Sequence, residues 1–564
     1  MWSKIIVLLC IPFLCLQSFA QSAEDIGRIL RITGCENPED LDADEAERLS
    51  SYLVRPLRIN LVAPSSFRTC GLFTSYQAAS LADYLTRHGN ILSFSELACV
   101  DGFTEDSVDC LRPFLSLDGG TIGPSGPSSG KPSADVAIKG GLKLTDAALT
   151  DSYGIKARCR TGSITTSVGY SGTFTGNLEW APARKSYRFI AGDFNARFGQ
   201  GLVLWNGMSM TGFANLSSFS RSASGLSSSW SYTGSSAHTG FAAEYAVSRF
   251  RLSGFMSFPG IKKGTPSVLP AFNLGWYGRN MSMSMTHVGN MKTSADLAMC
   301  VRGTDLFAEA AVDWVNAAAA ALAGLKVPLG EDLRMGMHLR YYPAGYDGST
   351  SAAPRSVSGC SNEYGTSLCC AYAPRSGWWK GTLSLDGAYL PVSKTDGVSV
   401  QYKFLCDSEM VLSERLKMLV RITERVRTWG LPFKTELRTD LVWSSEKFSA
   451  SGRVDVLKYK SVSFLTFAEG GYKTETFSFY LKQLFFFVDN WDDRIYSYER
   501  DAPGNFSVPA FYGRGMNTSV MSSWRFSRWG RVYLKGSMTV YPFMPLQKKK
   551  PGKAELKLQF VFSL

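Results

Sequence analysis

Ala554-Glu555-Leu556-Lys557-Leu558-Gln559-Phe560-Val561-Phe562-Ser563-Leu564 carries an apolar side chain at every second position, with Glu555, Lys557, Gln559 and Ser563 filling most of the places between. In a β-strand these two sets project to opposite faces. Alternation held for about ten residues, oily on one face and polar on the other, suits a tilted crossing of a bilayer around a polar interior. A helix has no use for a two-residue period.

The same texture extends upstream. Val136, Ile138, Leu142 and Leu144 open the series; Leu412, Leu416, Met418, Val420 and Ile422 alternate with Arg415, Lys417, Arg421 and Thr423; Phe433, Leu437, Leu441 and Trp443 alternate with Lys434, Glu436, Arg438 and Asp440. Phe477, Phe479, Leu481 and Phe485 form another row, and Val532, Leu534 and Met538 a late one. Soluble sandwich strands usually run about 5–6 residues, whereas these runs often hold for about ten. Tryptophans such as Trp180, Trp314, Trp378, Trp443, Trp524 and Trp529 recur near strand ends, where interface girdles need them. Ala317 to Leu322 reads as a small-residue strand pair rather than a helix. The fold class is mainly β: a large transmembrane antiparallel β-barrel over 134–564, of about 20 strands within an even range of 18–24, at roughly 20 residues per strand and connection. A small all-α domain precedes it.

At 564 residues the chain exceeds one ordinary core. Its 45% hydrophobic content and near-zero mean hydropathy fit a soluble protein and a membrane barrel equally well. Ile5 to Leu16 is the only long apolar run; with Lys4 before it and Ser18-Phe19-Ala20 after it, residues 1–20 read as a secretory signal peptide. No later run of 18 apolar residues offers a transmembrane helix, so the expected address is the outer membrane, with an N-terminal domain in the periplasm and outer-membrane lipid as the first partner. The formal charge of +12 is read as lumen and loop charge. Ten cysteines follow the leader without any C-x-x-C spacing, which favours buried or disulfide cysteine over a metal site. Cys360, Cys369 and Cys370 are assigned to one Gly/Ser-rich loop.

Residues 21–117 have helical spacing. A helix is expected from Asp40 to Val54, another from Ser75 to Arg87 stopped at His88-Gly89, a short one from Phe94 to Cys99, and a last one from Glu105 to Phe114. Residues 118–133, rich in Gly, Pro and Ser, read as a tether. Asn60-Leu61, Gly71-Leu72, Tyr76-Gln77-Ala78, Tyr84, Arg87-His88-Gly89, Phe94, Leu97, Gly102-Phe103 and Leu111-Arg112-Pro113 resemble the paired helix-hairpin-helix module of bacterial competence DNA receptors, over about 59–117. Arg197-Phe198-Gly199-Gln200-Gly201-Leu202-Val203-Leu204-Trp205, Asn490-Trp491-Asp492-Asp493-Arg494 and Tyr498-Glu499-Arg500-Asp501-Ala502-Pro503-Gly504 resemble segments of Bacteroidetes outer-membrane barrel proteins that carry such repeats ahead of the barrel.

The resemblance implies hairpins whose backbone N–H groups hold DNA phosphates, here Gly71-Leu72-Phe73 and Gly102-Phe103-Thr104. The family's second glycine is replaced by Phe73 and Thr104, and Glu96, Asp101, Glu105, Asp106 and Asp109 surround the hairpins. Both features weigh toward docking an envelope protein and against duplex DNA. The leading expectation is therefore a non-enzymatic conduit or envelope docking platform, with Arg415, Lys417, Arg421, Arg438 and Arg453 as a basic lumen row favouring anionic cargo. A DNA-uptake component is the first alternative. A barrel lipid hydrolase or acyltransferase using Ser236 and His238 is the second. His287 and His338 have no carboxylate beside them to orient the imidazole. Asp492, Asp493, Glu499 and Asp501 are read as a loop salt-bridge network with Arg494 and Arg500 rather than a calcium site, and Gly199-Gln200-Gly201 as a bulge or tight strand contact. No cofactor and no metal are called for.

Overall fold

The computed structural model describes residues 70–117 and 132–563, interrupted by breaks of one to six residues within connections, together with 32, 49, 52, 56–60 and 67. The leader 1–20, most of the Asp40 to Val54 helix and the tether up to 131 lie outside the described residues.

The helical part follows the spacing closely. Helix α1 spans Ser75–His88, α2 Phe94–Ala98 and α3 Glu105–Leu111, the last extended by one 3-10 turn, Arg112–Phe114. Thr74 opens α1 with a reciprocal capping box to Gln77, and Gly89 ends it at φ 84°. Leu72, Phe73, Ala78, Leu81, Leu97, Val100, Phe103, Val108, Leu111 and Phe114 are buried together. Asn60 ties the ends of the module: its side-chain amide donates to the Ile91 and Leu117 carbonyls at 2.8 and 2.6 Å and its oxygen accepts from the Ile91 N–H. Leu57–Arg58 pairs in parallel with Leu115–Ser116 beside it.

Twenty-four antiparallel strands close the barrel. In chain order they are β1 Ser133–Thr145, β2 Ala148–Thr161, β3 Ile164–Ser171, β4 Thr173–Trp180, β5 Tyr187–Arg197, β6 His238–Val247, β7 Phe250–Ser257 and β8 Leu269–Tyr277. Then come β9 Met281–Val288, β10 Lys292–Val301, β11 Thr304–Asp313, β12 Ala318–Pro328, β13 Leu333–Tyr342, β14 Glu363–Tyr372, β15 Trp379–Leu390 and β16 Ser399–Ser413. The last eight are β17 Leu416–Val426, β18 Lys434–Ser444, β19 Phe448–Lys458, β20 Val462–Lys473, β21 Phe477–Val488, β22 Gly513–Ser527, β23 Gly530–Val540 and β24 Lys553–Ser563. β24 pairs with β1 over Ser563↔Asp135 to Lys553↔Thr145, which seals the wall. The count stands at the top of the expected range and above the central figure of 20. The cause is length: one end has turns of only two or three residues at most hairpins, so each strand and connection takes about 18 residues.

Ala317 to Leu322 is corrected in detail. Trp314 to Ala317 form the turn, with Ala317 at φ 49°, and one strand follows from Ala318. Leu412 and Leu416 likewise belong to successive strands rather than one, because Glu414 and Arg415 make the turn between β16 and β17. Cys360 lies in a loop, but Cys369 and Cys370 are neighbours within β14, and the nine cysteines among the described residues are free thiols.

The two faces of the wall differ as alternation demands. Ile138, Leu142, Leu252, Phe272, Leu274, Leu437, Leu441, Leu481, Leu534 and Leu556 are exposed on the outside. Lys156, Glu244, Glu309, Arg340, Asp386, Arg453, Lys482 and Lys535, from strands all around the barrel, are buried inside. Such burial of charged groups means that the interior is filled by protein rather than by free water.

Candidate functional site: the loop-lined lumen

The filling comes from three long connections, 198–237, 343–362 and 489–512, all on the end opposite the one where β1 begins and β24 ends. The first starts with a reversal that glycine favours: Gly199 and Gly201 have φ of 58° and 84°. A Cβ on Gly199 would lie 2.9 Å from the Glu309 carboxylate. That carboxylate, on β11, accepts the Gln200 and Leu202 N–H groups at 2.7 and 3.1 Å. Gly199-Gln200-Gly201 is therefore a tight turn wrapped on a carboxylate, not a strand bulge.

Beyond it Leu202, Val203, Leu204, Phe213 and Phe219 pack with Phe194, Phe307 and Tyr342 in the largest apolar cluster among the described residues. The second connection locks over the first: the Tyr346 hydroxyl donates to the Leu202 carbonyl at 2.8 Å and Thr350 Oγ1 to Val203 at 2.7 Å. Burial pushes the Tyr346 phenol up, so it remains a donor, and pushes the Cys360 thiol up to about 11, which leaves it unreactive. Arg340 on β13 bridges Glu363 and Asp386, the latter at 2.8 Å, beneath this cluster.

The third connection is held by charge. Lys535 reaches Glu499 at 3.0 Å and Asp501 at 3.4 Å, Lys557 reaches Asp501 at 2.9 Å, and Arg500 reaches Glu469 at 2.7 Å. Asp493 accepts the Lys460 and Ser461 N–H groups at 3.1 and 2.9 Å, while Asp492 pairs with Lys460 at 2.6 Å. The acidic residues are thus shared out among basic partners and backbone, though mostly lysines rather than the neighbouring Arg494, which stacks on Trp491 at 4.6 Å.

The basic row divides. Arg421 pairs with Asp407 at 3.1 Å, and Arg438 and Arg453 converge on Asp440, Arg438 at 2.6 Å. Lys417 stands 3.9 Å from Glu409. These four share the inner face of β17 to β19, opposite the outward Ile422, Leu437 and Leu441. Arg415, at the turn, is not part of the lumen row. Every one of the four has an acidic partner, a pattern of paired charge that the row of basic residues alone did not convey.

The two hairpins of the helical module are occupied. Phe73 is buried with its ring 5.8 Å from those of Phe67 and Phe103. Thr104 caps α3, accepting the Ser107 N–H at 3.2 Å, and Thr74 accepts the Gln77 N–H at 3.1 Å. Gly102 keeps φ 85°, but Gln77 donates to its carbonyl and a Cβ there would strike the Tyr76 ring at 2.6 Å. Within Gly71-Leu72-Phe73 and Gly102-Phe103-Thr104, Phe73 and Phe103 thus pack in the core and Thr104 caps a helix.

Of the hydrolase pair, Ser236 lies outside the described residues. His238 sits between the Phe194 and Phe255 rings with Nδ1 3.3 Å from Ser257 Oγ. His287 bonds Thr293, and His338 is enclosed by Phe213, Phe219 and Phe307. Among the described residues no three metal-ligating side chains converge.

No family model matches the chain and no curated protein matches it. Among solved structures it is similar to the translocation pore of the P pilus usher PapC, at 9% identity and a TM-score of 0.38 over 77% of this chain and 99% of that one. It is also similar to the siderophore receptor PirA from Acinetobacter baumannii (6% identity, TM-score 0.37, 76% and 80% coverage) and to OccK11 of Pseudomonas aeruginosa (10%, 0.32, 78% and 97%). The functional reading rests on the chain's own wall and lumen.

Proposed function

We propose that this is an outer-membrane barrel that acts as a conduit narrowed by its own inward loops, with the helix-hairpin-helix-like module on the periplasmic side as a docking platform for an envelope partner. The observation that carries the reading is the inversion of the wall: exposed Leu, Ile and Phe outside, paired charge inside. In water that arrangement would be unstable; in lipid it is the favourable one. The side assignment is supported by the short turns at the end shared by β1 and β24, since outer-membrane barrels keep short turns toward the periplasm. The test is substitution on the two faces. Leu437→Arg should cost about 2–4 kcal/mol of stability in lipid and lower the membrane-inserted, heat-modifiable fraction, because its side chain meets the bilayer. A mature product that stays detergent-free and monodisperse in the supernatant, indifferent to Leu437→Arg, would overturn the proposal.

A further inference from the structure

Past the apolar cluster the first connection makes a short strand, Gly225–Ser228, against the end of β5, and then runs across the inner wall of β2 to β4. The wall is shaped for it. Asn177 Nδ2 donates to the Ser229 carbonyl at 2.5 Å, and Thr175 Oγ1 to the Ser231 carbonyl at 3.1 Å. Gly169 leaves room for the Ser231 carbonyl, which a Cβ would meet at 2.9 Å; Gly154 leaves room for Lys139 and Tyr232, at 2.9 and 3.0 Å. Laid in this bed, Trp230 and Tyr232 meet three cations of the wall. Lys156 Nζ stands 3.9 Å from the Trp230 ring centroid and 4.7 Å from that of Tyr232, Lys139 Nζ 3.9 Å from Tyr232, and the Arg158 guanidinium 4.0 Å from Trp230.

Neither Lys139 nor Lys156 pairs with a carboxylate among the described residues, although Lys156 is only 8% exposed. Asp135, on the same wall, is 3.5 Å from Arg160, and Asp501 is taken by Lys535 and Lys557. Lys139 has a single acceptor, Asn505 Oδ1, at 3.3 Å. The Tyr232 hydroxyl and the Trp230 Nε1–H are buried and meet no acceptor among the described residues. Burial pushes the Tyr232 phenol up to about 12, so it is a donor at any ordinary pH. Aromatic faces offset part of an ammonium's charge but accept none of its hydrogen bonds in the way an oxygen does. Here donors from Lys139, Lys156, Trp230 and Tyr232 accumulate together, with no carboxylate among the described residues bonded to them.

We propose that Lys139, Lys156, Arg158, Trp230 and Tyr232 form a luminal binding site for a phosphate-class oxyanion, free or carried on a small solute. Tetrahedral oxygens would give the two ammoniums, the phenol and the indole N–H the acceptors they lack. The site is independent of whether the barrel conducts, and equilibrium binding reports on it directly. The measurement is calorimetric titration of the full chain, refolded in detergent micelles, with inorganic phosphate, glucose 6-phosphate and sodium chloride in separate arms. Saturable binding of about one phosphate per chain is expected, weakened at least tenfold by Lys156→Met and several-fold by Tyr232→Phe, which keeps the ring and removes only the hydroxyl. Lys380→Met, on β15 across the barrel, where Lys380 pairs with Glu409 at 2.9 Å, should leave binding unchanged. Saturation by glucose 6-phosphate but not by phosphate would place the anion on a carried solute. Absence of saturation with both, an equal response to chloride, or equal loss in Lys380→Met would overturn the site, and heat-modifiable mobility of each variant shows that the barrel has closed.

Discussion

The connections 198–224 and 489–512 both turn into the barrel from the same end, yet they are held by opposite physics. The first is anchored by apolar burial, with Phe213 and Phe219 inserted among Phe194, Phe307 and Tyr342 and one carboxylate, Glu309, gripping its backbone. The second is anchored by ions, with Lys535, Lys557 and Glu469 fixing Glu499, Arg500 and Asp501. An apolar anchor is spread over many contacts and tolerates volume-conserving apolar exchange, whereas an ionic anchor is local and fails when one partner is lost. Two obstructions built so differently can be released separately.

That separation can be broken from either side. Phe219→Ala should cost about 3–5 kcal/mol, since a fully buried ring leaves a cavity, and should open the first connection to trypsin at Arg221 while cleavage at Arg500 stays unchanged. Cleavage appearing at both would show that the loops move as one. Lys535→Met should cost about 3 kcal/mol, because Glu499 loses its lysine in a dry site while Asp501 keeps Lys557. Here the exposure should appear at Arg494 and Arg500 and not at Arg221. The smallest effect sharpens the contrast through pH. Burial works against ionisation of Asp347, but its bonds from Lys292 and Ser349 prevail and hold the carboxyl below its ordinary value. Its contribution to the second connection is complete above about pH 4 and is lost as pH falls through the lower folded value. Proteolysis by pepsin within 343–362 should rise below that point; a flat response between pH 5 and pH 2 would remove Asp347 from the anchor.

Much of the wall was legible because an apolar outer face and a polar inner face impose a strict period. The Phe477, Phe479, Leu481 row and the Leu437, Leu441 row both lie outward as alternation requires. The helical module was legible for a related reason, since capping residues such as Thr74 and a stop such as Gly89 act over a few residues. Arg415 was misplaced because a two-residue turn between Ser413 and Leu416 preserves the apparent period across it. The lumen was not legible. Phe213 and Phe219 carry no periodic signal in a serine-rich stretch, and the meeting of Lys156 with Trp230 joins residues far apart in sequence through a loop laid on another strand's inner face. Periodicity reports which medium a residue faces; it says nothing about which distant loop covers it.

The pairing of β24 with β1 carries a consequence for biogenesis. Its partners are separated by roughly four hundred residues, so the last hydrogen-bonded seam cannot zip until every intermediate hairpin is in register. In the bilayer proposed above, both rims of the nascent sheet would until then present unpaired backbone amides to hydrocarbon, a state that a bilayer penalises heavily. Sealing this seam is what would end that exposure.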